Sequence, residues 1–304
     1  MIERSLSPPT RDLGDGFLVR RALPSDGCRS IGPFVFFDHF GPTSFAAGRG
    51  LDVRPHPHIG LATVTYLFEG EIVHRDSLGN AQVISPGAVN WMVAGAGIVH
   101  SERTAADTRR APSSLTGIQS WVALPLETEE CAPSFVHHAA KSLPVIENAG
   151  RRIRLIAGAL FGERSPVATL SPMGYADADL DAGAQLAFPA EYVECALYLV
   201  EGAIDLAGQR IEAPRLLVLR AGEPVRLRAA TRARVMLLAG EPLGPRHVWW
   251  NFVSSSHERI EAAKSAWRAG RFEAVPGDEE EFIPLPRERP PHEASPGADE
   301  SEAL

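Results

Sequence analysis

Two histidines stand two residues apart at the head of an apolar, β-branched run, in RPHPHIGLATVTYLFEGE (54–71). Successive strand residues point to opposite faces, so His56 and His58 share a face and aim their imidazoles at one point. Further along, GAGIVHSE supplies another i, i+2 pair, His100 and Glu102. Two strands of one barrel, each with an inward pair, would compose a site of three imidazoles and one carboxylate. Imidazole suits Fe, Cu, Ni and Zn, and a carboxylate moves the preference away from the soft metals. Four ligands on one side of a six-coordinate ion leave two positions open for water, dioxygen or a chelating substrate. Zinc is the rival metal, although a closed structural zinc site typically has cysteines and tetrahedral closure. The bland alternative is coincidence on a solvated face. Either pair alone is a weak signal; both together, in strand context behind glycine-rich turns, favour a metal.

The elements that must position these residues are short strands. Strand-like runs lie at 62–68, 71–75, 90–94, 118–124, 152–158, 195–200, 215–222 and 234–240, and SLGN (77–80) reads as a hairpin turn. There is no βαβ alternation, so an all-β barrel or sandwich is expected. The sequence predicts one good helix in SSSHERIEAAKSAWRAGRF, with Ser254 to Ser256 as N-cap candidates and Gly270 as the stop. An internal repeat is present: YLFEGEI (66–72) returns as YLVEGAI (198–204), and VAGAGIVHSE (93–102) is echoed by RAGEPVRLRA (220–229). Two related barrels follow, with a boundary near Pro125 to Pro133. The repeat also provides a control. Its offsets place Phe188 and Ala190 where His56 and His58 sit, and Leu227 and Ala229 where His100 and Glu102 sit. The ligand types are replaced by apolar residues, so barrel architecture alone does not demand them.

Composition narrows the classes. The 304 residues are 44% hydrophobic and carry a formal net charge of −8, with no run of Lys and Arg. That argues against direct nucleic-acid binding. Cys28, Cys131 and Cys195 are scattered, which suggests neither a disulfide framework nor a cysteine zinc site. No signal-peptide pattern opens the sequence and no apolar run reaches the ~20 residues of a membrane helix, so the expected location is cytoplasmic. The acidic, Pro-rich end is expected to be disordered over about its last 15 residues.

Three blocks, GPFVFFDHFGP (32–42), RPHPHIGLATVTYLFEGEIVHRDSLGN (54–80) and PGAVNWMVAGAGIVHSE (86–102), closely resemble the pirin family of the cupin superfamily. SLTGIQSWVALP (114–125) and the segment around the helix extend the resemblance more weakly. It implies a bicupin: two stacked antiparallel, jelly-roll-like β-barrels with a C-terminal helix. Residues 1–127 would form a metal-binding barrel. Residues 128–275 would form a barrel without ligands plus a helix at 256–269, and 276–304 a tail. The family's ligands fall on His56, His58, His100 and Glu102. The implied cofactor is one divalent metal, Fe(II) first, with Mn, Ni, Co, Cu or Zn able to substitute. One departure is Ala62, where the broader cupin pattern has a glutamate; its loss is expected to alter the pocket lining.

Two functions follow from the resemblance. Some bacterial pirins resemble quercetinases, which open a flavonol ring with dioxygen and release carbon monoxide; here Glu102 would be the catalytic base for the hydroxyl proton. Others resemble redox-sensing co-regulators that bind a transcription factor or a metabolic enzyme. The implied partners are thus a small aromatic chelator or a protein, with no direct nucleic acid and no membrane. Among further residues, Val64, Tyr66, Trp91 and Met92 are read as barrel core and His39 as structural. His74, His137 and His138 are expected at the surface, and His247, Trp249 and Trp250 as packing for the helix. Asp12, Asp15 and the acidic 278–281 run are read as solvated charge, and the cysteines as small hydrophobes.

Overall fold

The computed structural model describes residues 2–12 and 17–287. Asp15 and the chain beyond 287, including the segment expected to be disordered, lie outside the described residues. Strands dominate, and His257–Arg268 is the one α-helix among the described residues. Its N-cap is Ser256, whose Oγ accepts from the Arg259 N–H at 3.3 Å, and Gly270 follows it with a positive φ of 63°.

Each barrel pairs a large sheet with a small one. The first has a seven-stranded sheet in the order Ser134–His138, Val89–Val93, Leu61–Glu69, Ser113–Ala123, Phe34–Phe45, Leu18–Leu23, Thr10–Asp12. Its small sheet runs Asp52–His58, Ile98–Arg103, Ile72–Asp76, Ala81–Ile84. The second barrel repeats the plan, with a small sheet of Gln185–Phe188, Val225–Ala229, Ala203–Leu206 and Gln209–Glu212. The repeated E-G turns have a physical cause. Gly70 and Gly202 take φ of 84° and 78°, and an added Cβ would collide with the carbonyls of Ser114 and Arg232.

The large sheets pack face to face. Period-two alternation sends Ala62, Val64 and Tyr66 toward the second barrel, where they meet Tyr175, Tyr198, Met236 and Leu238. Leu61 and Leu67 join clusters of the first barrel instead. A sheet buried on both faces needs apolar residues at successive positions, which explains the unbroken FVFF of 34–37. Polar pins cross this core: Tyr66 donates to Asp177 Oδ2 at 2.8 Å, and His39 Nδ1 lies 3.2 Å from the Tyr198 hydroxyl.

Three segments cross the expected 127/128 division. Ile2–Leu6 pairs with Arg215–Leu219 of the second barrel, and Ser134–His138 pairs with Val89–Val93 of the first. The hairpin of His247–Trp249 and Phe252–Ser254, with the helix, packs on the first barrel through Ile59, Trp250, Phe252, Ile260 and Ala263. The tryptophans therefore do pack the helix. Beyond it, Arg103 holds Asp278 at 2.7 and 2.8 Å and Glu281 at 2.8 Å, and the Ile283 N–H donates to the Pro55 carbonyl at 2.8 Å. The 278–281 run is thus tied at both ends rather than freely solvated.

Candidate metal centre

Register alone brings the ligands together. Ile98–Arg103 pairs antiparallel with Asp52–His58, setting His100 opposite His56 and Ile98 opposite His58. Directly opposed residues share a face with Cβ atoms about 4.5–5.5 Å apart, so the three rings converge. The ligand atoms of His56, His58 and His100 all lie within 4.8 Å of one another, and all three residues are buried. His58 Nε2 and His100 Nε2 are 3.1 Å apart. Two nitrogens each about 2.1 Å from one ion would be separated by roughly 3.0–3.4 Å, so the spacing fits a shared cation.

Ring orientation fits as well. His56 Nδ1 donates to the Arg54 carbonyl at 2.8 Å, and His58 Nδ1 to the Asn251 carbonyl at 3.1 Å. A carbonyl only accepts, so each proton sits on Nδ1 and each Nε2 keeps its lone pair, the form in which an imidazole ligates. Burial pushes His56 down to about 4; its bond to Arg54 opposes this and His74 adds to it. Burial and the neighbouring histidines hold His58 and His100 well below the ordinary range. The cluster therefore stays neutral at neutral pH and ready to bind without first losing protons.

Glu102 stands beside this group but outside it. A β-bulge between His100 and Glu102 shifts the register, leaving Glu102 across from Val53 on one side and His74 on the other. Thr65 Oγ1 donates to its Oε1 at 3.0 Å. Burial raises its pKa, against the opposing pull of His74 and Thr65. His56, His58 and Glu102 face a cavity of about 100 Å³ walled by Phe17, Val19, Phe36, Phe40, Leu51 and Trp121. Phe36 and Trp121 stack at 4.0 Å with planes 14° apart.

Asp38 and Gln119 also line this cavity. Asp38 is held by Arg21 through two bonds of 3.0 and 2.9 Å, and the Arg21 guanidinium lies 4.5 Å over the Phe36 ring. Sequence reasoning missed this pair, although a lone acid inside FVFFDHF was a usable sign of a compensated buried charge. It also missed Asn251, whose contribution is a backbone atom and so carries no residue signature.

Comparison with known families bears on this geometry. The Pirin family matches residues 16–122, and the Pirin C-terminal cupin domain matches residues 175–273. The chain belongs to the pirin family. A pirin-like protein of Caulobacter vibrioides is 50% identical, covering 94% of this chain and 100% of its own. Quercetin 2,3-dioxygenase from Acinetobacter baumannii, a crystal structure, matches with a TM-score of 0.86 at 33% identity, over 94% of this chain and 95% of that one. The bacterial pirin YhhW of Escherichia coli, solved with nickel(II), matches in fold with a TM-score of 0.63 at 18% identity, over 80% and 100%.

Within this pirin fold, several expectations resolve. Ala62 points into the core between the barrels, so the missing glutamate alters inter-barrel packing and not the pocket lining. Val64, Tyr66 and Trp91 face the same core, and Met92 packs inside the first barrel. His39 is pushed down to about 4 by burial, with Arg20 adding to the effect, and its role is structural. His137 is half-buried and donates to Asn90 Oδ1 at 2.7 Å. His74 is 2% exposed, not solvated, because it faces Glu102 across the small sheet. The cysteines are free; burial pushes the Cys28 and Cys195 thiols up to about 11, consistent with packing roles. No helix among the described residues is long and apolar enough to cross a membrane.

Proposed function

We propose that this chain is an Fe(II)-dependent dioxygenase that opens flavonol-type rings. The observation that carries the reading is the convergence of three buried imidazoles, two of which line an apolar, aromatic-walled cavity with a buried carboxylate beside them. A bound divalent ion there supplies Lewis acidity and, for iron, one-electron exchange with dioxygen. The protein's own residues do the rest. Phe36, Phe40 and Trp121 pack the faces of an aromatic ring and exclude water. Glu102, with a raised pKa, takes the proton of the hydroxyl that is to chelate, while Thr65 holds one carboxylate oxygen in place.

The cavity is small beside the 300–1,000 Å³ of typical drug-sized sites. It takes the chelating ring, and the other two rings extend past the half-buried Phe17 and Val53. Support from relatives is the 33% identity to a protein solved as quercetin 2,3-dioxygenase. The test is metal analysis of untagged protein, followed by incubation of the Fe(II)-loaded chain with quercetin under dioxygen. The expected result is ring-opened product with one carbon monoxide per turnover; the absence of both overturns the reading.

A further inference from the structure

Behind His100 lies a buried relay. In the small sheet His74 stands opposite Glu102, and Asp76 opposite His100. His100 Nδ1 lies 3.4 Å from His74 Nδ1, a long hydrogen bond, and His74 Nε2 lies 3.1 Å from Asp76 Oδ2. Asp76 is fully buried and also accepts from the backbone N–H of Leu78 at 3.0 Å and of Asn80 at 3.1 Å. The Asn80 side-chain amide donates to both carboxylate oxygens, at 3.0 and 2.9 Å.

The proton positions follow in order. An ionised carboxylate only accepts, so His74 Nε2 carries a proton and donates to Asp76. In the form of His74 that carries one ring proton, that proton is the one given to Asp76, which leaves His74 Nδ1 as an acceptor. His100 Nδ1 must then donate to it, and His100 Nε2 presents a bare lone pair toward His58. The Phe135 ring, stacked on His74 at 4.3 Å and 10°, fixes the plane of the intermediate ring. We propose that His74 and Asp76 are positioning residues that lock His100 in its Nε2-ligating tautomer. His56 and His58 achieve the same with backbone carbonyls. His100 is the one of the three whose setting depends on a side chain, and so the one whose setting a substitution can remove.

The relay stands independently of the reaction. Its test is Ni(II) titration calorimetry on the full chain, together with long-range proton–nitrogen spectra of the metal-free protein that report which His100 nitrogen is protonated. His74→Phe keeps the stack on Phe135 but offers no acceptor. His74→Asn places an amide oxygen near the former Nδ1. We expect His74→Phe to weaken Ni(II) binding about 10- to 100-fold, the usual effect of losing an outer partner of a ligand, and to move the His100 proton partly to Nε2. His74→Asn should restore most of the affinity and the Nδ1 proton. Unchanged affinity and tautomer in His74→Phe overturn the proposal. So do equal losses in both variants with the proton still on Nδ1, which would mark a packing role. If His74→Phe does not fold, His74→Ile, matching Ile204 of the second barrel, is read by the same two outcomes. Wild-type protein that takes up no Ni(II) would overturn the metal site and the relay together.

Discussion

The two small sheets follow one plan row for row, with opposite contents. His100 stands between His56 and Asp76, and Leu227 stands between Leu186 and Leu206. Glu102 faces His74 where Ala229 faces Ile204. Both sets are buried. The shared backbone therefore accommodates either a ligand cluster or an aliphatic core. What differs is how each row is satisfied: the first needs a hydrogen-bond partner for every polar atom, while the second needs only close packing.

The comparison can be broken most forcefully by carrying the second barrel's residue into the first. His100→Leu should abolish stoichiometric metal uptake and cost the metal-free protein only about 1–3 kcal/mol, since it leaves the buried His74 Nδ1 without its partner. Metal analysis beside a thermal melt checks this, and retained metal would sink the ligand assignment. The reverse signature belongs to Leu227→Ala. It leaves a cavity in the aliphatic core and should destabilise by about 2–5 kcal/mol in denaturant titrations, with metal content unaltered. A loss of metal in that variant would mean that the barrels are not independent in this respect.

The smallest effect sharpens the boundary between them. His39 titrates near 4 in the folded protein against about 6.5 when unfolded, because burial disfavours its charged form and Arg20 repels it. Between those values the unfolded chain binds a proton that the folded chain does not. This contribution to stability is therefore fully present above pH 6.5 and is lost as pH falls through 4. His39→Gln should flatten the stability–pH curve in that window, measured by denaturant midpoints from pH 7 to 4. An unaltered curve would refute the assignment.

The histidine pairs were legible because period two is a strong local signal and the facing strand carries a matching pair. The apolar content of the second barrel's small sheet was legible through the repeat, although its offset named Phe188 where the register sets Leu186 opposite Leu227. The facing of Val64, Tyr66 and Trp91 was not legible, because a sheet buried on both sides hides its alternation. His74 was misread because a histidine beside a hairpin turn looks solvated, and only the fold shows Phe135 and Glu102 covering it. The position of Glu102 depends on a bulge that no residue type announces.

The acceptor for His58 is the carbonyl of Asn251, 193 residues further along the chain. Ribosomes deliver a polypeptide from its amino end, so the half of the molecule made first awaits the segment made almost last. A nascent chain stalled before residue 251 carries all three imidazoles, yet one of them still lacks the partner that orients it.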